Sequence, residues 1–169
     1  MKPPTSLRIA MSYNGQPVLI DAEPRTTLAD ALRRDCGASE IHLGCEHGVC
    51  GACSVHVDGV EVRSCLMLAV QADRAAVVTA TGLTGSIAEE LRTAFAAHHA
   101  LQCGFCTAGM LVTSATLIDS ATAPLDETEV RHALCGNICR CTGYQGIIDA
   151  ILKVDAARRA DEGGDCDDR

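Results

Sequence analysis

Gly44-Cys45-Glu46-His47-Gly48-Val49-Cys50-Gly51-Ala52-Cys53 is the stretch that decides how this chain must fold. With Cys65 it sets four thiols at the spacing C-x4-C-x2-C-x11-C. The first three reproduce the plant-type [2Fe–2S] pattern, whose fourth ligand comes from further along the chain. A cluster held by four thiolates is anionic, so backbone N–H groups must approach its sulfur closely. The loop therefore has to turn sharply, and Gly44, Gly48 and Gly51 among the thiols meet that demand. Two other readings compete. Zinc knuckles usually pair two C-x2-C units, and only Cys50/Cys53 is spaced that way. A Rieske-like set from Cys45, His47, Cys53 and His56 would strand Cys50 and Cys65, and His56 reads more simply as a strand residue on the face of Ser54 and Asp58.

Outward from this loop, the N-terminal half has the pattern of short strands and turns. Leu7 to Met11 and Pro17 to Ile20 flank Asn14-Gly15, a hairpin signal, and Ser54 to Val57 and Val60 to Val62 flank Asp58-Gly59. Thr26 to Leu32 has the spacing of a short helix opened by a hydroxyl, and Ala75 to Val78 reads as a last strand. The result is a small α+β unit.

After Thr81-Gly82 the pattern becomes helical. Ser86 with Glu89 predicts a capping box opening a helix to about His98. A second helix is expected from near Cys106 to about Asp119, ended by Pro124-Leu125. Asp126 with Glu129 caps a third, expected to stop at a left-handed Gly136-Asn137 terminus. Thr142 with Gln145 caps a fourth, through Ile147, Ile148, Ile151 and Val154. Four helices in so short a stretch imply a compact bundle. The domains are thus residues 1–82 and 83–160, and the acidic stretch 161–169 is expected to be a disordered tail.

This half carries a second thiol group, Cys103-x2-Cys106 and Cys139-x-Cys141. Cys106 should open the second helix and Cys141 should lie just before the fourth. Unpaired N–H groups and dipoles at helix N-termini suit an anionic centre. On spacing alone zinc and a [2Fe–2S] cluster stand level. The first motif tips the balance, because a chain built around one cluster becomes an electron relay by holding another. Cys36, Cys135 and Cys166 are left over and read as unligated thiols, with Cys135 close in sequence to Cys139.

Composition sets outer limits. The chain has 169 residues, 47% hydrophobic and 21% charged, with eleven cysteines, two Phe, two Tyr and no Trp. Its core must be aliphatic, and its net charge of −8 argues against nucleic-acid binding. Met1 to Thr5 lacks an apolar signal region, and no apolar run suits a membrane span. A cytoplasmic location follows as the expectation, and there dense cysteine points to metal, not disulfides.

Together the loop from Gly44 to Cys53, Gln102-Cys103-Gly104-Phe105-Cys106-Thr107-Ala108-Gly109-Met110 and Gly136-Asn137-Ile138-Cys139-Arg140-Cys141-Thr142-Gly143-Tyr144 resemble the small iron–sulfur subunits of the xanthine dehydrogenase family of molybdenum hydroxylases. The resemblance runs in order from about residue 7 to 155. Ala108 departs from it, standing where many relatives have proline, and Cys135 replaces another small residue. The resemblance implies a β-grasp ferredoxin-like domain followed by a four-helix bundle. It implies an electron carrier within a multi-subunit oxidoreductase, as a heterotrimer or its dimer. Cys103, Cys106, Cys139 and Cys141 would hold the cluster beside molybdopterin on a large partner. Cys45, Cys50, Cys53 and Cys65 would hold the one that passes electrons to FAD on a medium partner. Gln102 is implied as a hydrogen-bonding contact to the pterin. The other reading is a stand-alone ferredoxin-like carrier or metal-binding module.

Overall fold

A computed structural model of the chain describes residues 5–163. β1 (Leu7–Tyr13) and β2 (Gln16–Ala22) form the first antiparallel hairpin, and Asn14 and Gly15 turn it with φ of 48° and 79°. Alternation along the strands sends Ile9, Met11, Ile20 and Ala22 into the core. α1 (Leu28–Asp35) follows, and its start is fixed by the Thr27 hydroxyl, which accepts from the Asp30 N–H at 3.1 Å. Its buried face is Leu28, Ala29, Ala31 and Leu32. β3 (Ser54–Val57), β4 (Val60–Arg63) and β5 (Ala76–Val78) complete a five-stranded sheet in the order β2-β1-β5-β3-β4. β5 runs parallel to β1 and antiparallel to β3. A 3₁₀ turn over Ala69–Ala72, which the sequence pattern did not predict, packs against α1.

Four α-helices come next. α2 (Ser86–Ala97), α3 (Thr107–Ser120), α4 (Glu127–Ala133) and α5 (Gln145–Gly163) enclose a second core around Leu91, Phe95, Met110, Ile118, Ile147, Ile148 and Ile151. Each such side chain contributes roughly 1.5–3 kcal/mol when fully buried. α2 packs mainly on α5, while α3 also lies against β3 and β4 and so joins the two halves.

Four local expectations are corrected. The Ser86 box does not form, because Gly85, at φ 92°, takes the cap position and Ser86 becomes the first helical residue. The box at Asp126 and Glu129 forms as expected. Its helix, however, ends at Ala133 and passes into a 3₁₀ turn over Leu134–Gly136. No left-handed terminus follows, since Asn137 is extended at φ −126° and its side chain is committed to contacts between the halves. Thr142 does not cap α5; its hydroxyl accepts from the Tyr144 N–H and lies beside a thiol. α5 itself runs to Gly163, three residues into the expected tail, and residues 164–169 lie outside the described chain. Among the described residues no helix is long and apolar enough to cross a membrane.

Candidate metal centres

The loop between α1 and β3 carries the first thiols. Glu46, Gly48 and Gly51 all have positive φ (55°, 83° and 71°), and these turns wind the backbone around Cys45. The Cys50 N–H donates to Cys45 Sγ at 3.4 Å. Backbone N–H groups of His47 and Cys50 pull the Cys45 thiol down to about 6. A site that stabilises a bare thiolate in this way suits an anionic iron–sulfur cluster. Cys53 and Cys65 are both buried. Burial, and then the neighbouring Cys53, push the Cys65 thiol up to about 11, while the Gly48 N–H opposes the rise.

The second group gathers at the start of α3 and in the loop before α5. Cys106 is the residue immediately preceding α3, one place before the position expected. Cys103 and Cys141 are exposed with their sulfurs 3.5 Å apart. Burial, and then the neighbouring Cys139, push the Cys106 thiol up to about 12. Burial also raises the Cys139 thiol, but the Thr142 hydroxyl at 3.2 Å and the N–H groups of Thr142 and Cys141 outweigh it and leave it lowered. These four cysteines, with Phe105, Ile138 and Arg140, line a cavity of about 260 Å³.

Within each group the thiols act on one another: after burial, Cys65 is raised by Cys53 and Cys45, Cys106 is raised by Cys139 and Cys103, and the sulfurs of Cys103 and Cys141 lie 3.5 Å apart. Four cysteines gathered in each group match the four-thiolate donor set that a [2Fe–2S] cluster takes. One orphan points the same way. Thr107 Oγ1, buried next to Cys106, has no hydrogen-bond partner within the described residues. An anionic group held by Cys106 would give it one.

The histidines of the Rieske-like reading are engaged elsewhere. His56 Nε2 lies 2.7 Å from Thr116 Oγ1 on α3, and His47 Nδ1 faces the Cys45 carbonyl. Cys135 donates to the Arg131 carbonyl at 3.3 Å, as an ordinary helical thiol does. Cys36 is half-buried, and burial followed by the Asp35 charge raises its thiol. Cys166 lies outside the described residues. Gln102 is exposed, and its Nε2 donates to the Cys141 carbonyl at 3.0 Å, so it steadies the loop carrying the second thiol group.

Sequence reasoning missed how the two groups are joined. The Ile138 N–H donates to the Cys50 carbonyl at 2.8 Å, linking a residue of the first set to the neighbour of Cys139. Phe105 stacks on His42 with ring centroids 4.7 Å apart, and its carbonyl accepts from, or lies against, His42 Nδ1 at 2.8 Å. One of only two phenylalanines in the chain, placed between Cys103 and Cys106, was the available signal.

Known proteins with this arrangement are found along nearly the whole chain. Residues 11–83 match the 2Fe-2S iron–sulfur cluster binding domain and residues 79–152 match the [2Fe-2S] binding domain. The nicotine 6-hydroxylase small subunit of Paenarthrobacter nicotinovorans is 48% identical over 150 residues, 89% of this chain and 90% of that one. The xanthine dehydrogenase iron–sulfur-binding subunit of Escherichia coli O157:H7 is 39% identical over 155 residues, 90% of this chain and 97% of that one. A chain of quinoline 2-oxidoreductase from Pseudomonas putida 86 superposes with a TM-score of 0.85 at 47% identity, covering 95% of this chain and 99% of that chain.

Proposed function

Because the chain belongs to the family of small iron–sulfur subunits of the molybdenum hydroxylases, we propose a specific division of labour between its two thiol groups. The chain is the electron-transfer subunit of an oxidoreductase complex and binds [2Fe–2S] clusters. Cys45, Cys50, Cys53 and Cys65 hold one, and Cys103, Cys106, Cys139 and Cys141 hold the other. Each cluster, when bound, gains or loses a single electron. The described residues up to 82 form a β-grasp ferredoxin-like domain, and the chain from residue 83 through α5 forms a four-helix bundle. The gathering of four cysteines in each group, with one backbone hydrogen bond joining the groups, is the observation that carries this reading.

The protein's contribution is to hold and shield. N–H groups of the loop from Gly44 to Cys53 stabilise charge on Cys45, and the Thr142 hydroxyl does the same for Cys139. The exposed Cys103 and Cys141, flanked by the exposed apolar Leu101, Phe105 and Ile138, form a face suited to a large molybdopterin-binding partner. A medium FAD-binding partner takes the other face, where Val49 and Leu66 are exposed beside the first loop. The assembly is a heterotrimer or its dimer and works in the cytoplasm. A free-standing carrier is set aside, since relatives matched along most of their length are named as subunits.

Gln102 contacts the pterin through its side-chain amide, whose Nε2 also braces the loop at Cys141. Mixing the whole complex anaerobically with its substrate tests both statements. Both cluster signals should appear in the native complex, whereas Gln102→Ala should slow their appearance by roughly tenfold at unchanged iron content. Clusters that stay oxidised in the native complex would refute the relay. Unaltered kinetics in the variant would remove Gln102 from the pterin site.

A further inference from the structure

The hydrogen bond from Ile138 N–H to the Cys50 carbonyl holds the two thiol groups together, yet Ile138 lies outside every strand and helix, just after the extended Asn137. Something else must keep that segment in place. Arg63, the last residue of β4 and two before Cys65, reaches across the junction. Its Nη2 donates to the Gly136 carbonyl at 3.0 Å and to Asn137 Oδ1 at 3.2 Å. Its Nη1 donates to Glu61 Oε1 and to Ser54 Oγ. Ser54 in turn donates to the Gly51 carbonyl at 2.8 Å. One nitrogen of the fork thus grips the segment leading to Cys139, and the other grips the loop that bears Cys50.

Thr113 of α3 closes the circuit. It donates to Glu61 Oε1 at 2.8 Å and accepts from Asn137 Nδ2 at 3.0 Å. Asn137 is 1% exposed, and the side chains of Arg63 and Glu61 are 22% and 19% exposed. So shielded a network holds its geometry, and removing one partner leaves the others with unmet bonds. The planar fork matters here, because an ammonium cannot grip two groups on each side in one plane.

We propose that Arg63 is a positioning residue that sets the spacing of the two cysteine groups, and with it the electronic coupling between the clusters they hold. The inference rests on the cluster assignment made above. With both clusters bound, the step this spacing would serve is the transfer of one electron, one cluster being oxidised as the other is reduced, with no bond or proton changing hands. Arg63 ligates nothing and acts only through the backbone it fixes.

The test compares the native complex with Arg63→Gln and Arg63→Lys, by iron content, by EPR of the dithionite-reduced state and by inter-cluster electron transfer after rapid reduction. Both variants should keep about four irons per chain. They should lose or alter the magnetic interaction between the two reduced signals and slow transfer by roughly tenfold, with Lys the milder of the two. Full iron with native magnetic interaction and rate in both variants overturns the proposal. Loss of iron from both also overturns it, since Arg63 would then be a folding requirement. A native chain that lacks the second cluster refutes the cluster assignment instead, a failure visible before any variant is made.

Discussion

Cys103→Ser is expected to cut the iron content from about four atoms per chain to about two, and to abolish one reduced EPR signal while sparing the other. Cys103 is exposed, with its sulfur 3.5 Å from Cys141, so replacing it removes the proposed donor without opening the core. A serine hydroxyl resists deprotonation and is a weak ligand for iron where a thiolate is required. The first thiol group lies across the junction on a different half, with its own buried pair, Cys53 and Cys65. It should keep its cluster. In the assembled complex, electrons from substrate should no longer reach an acceptor at FAD. Retained turnover with such an acceptor would contradict the order assigned to the two groups.

Gly51→Ala should cost more stability than any other single-methyl change along this loop. Gly51 has φ of +71°, which by itself costs a side-chain-bearing residue about 1–3 kcal/mol. A Cβ there would also meet the Gly136 carbonyl at 2.4 Å and the Asn137 side chain at 2.7 Å. Nor can the loop back away: a Cβ at Gly109 would meet the Gly51 carbonyl at 2.1 Å, so α3 already presses on it. Overpacking adds about 1–3 kcal/mol. The sum, roughly 2–6 kcal/mol, is a large share of the 5–15 kcal/mol that holds an ordinary domain folded. Gly59→Ala is the control, with φ of +80° and nothing within 4 Å of its Cβ. Thermal melting of both variants separates the causes. Gly59→Ala should lower the midpoint by a few degrees and Gly51→Ala by about 10 °C or more, with loss of iron. Equal midpoints would mean that the contact between the halves is not tight.

The strands, the hairpin turns and the helices were legible in the sequence because their signals are local. Asn14-Gly15 and Asp58-Gly59 turn where expected, and Asp126 with Glu129 caps where expected. Signals failed where a residue had a distant partner. Asn137 has the makings of a helix terminus, but Arg63 and Thr113 claim its side chain. Thr142 has the makings of a cap, but it lies beside Cys139 instead. The cysteine spacing named the thiol groups, yet not their pairing. Cys103 meets Cys141 across two loops, and no spacing rule gives that. The Arg63 clamp was invisible for the same reason, since its partners Gly136 and Asn137 are more than seventy residues away.

The most direct measurement is iron content with the EPR spectrum of the dithionite-reduced chain, purified anaerobically with whatever accompanies it. About four irons per chain and two distinct [2Fe–2S] signals are expected from two four-cysteine sets. About two irons with bound zinc would leave the first thiol group standing, make the second structural, and contradict the relay.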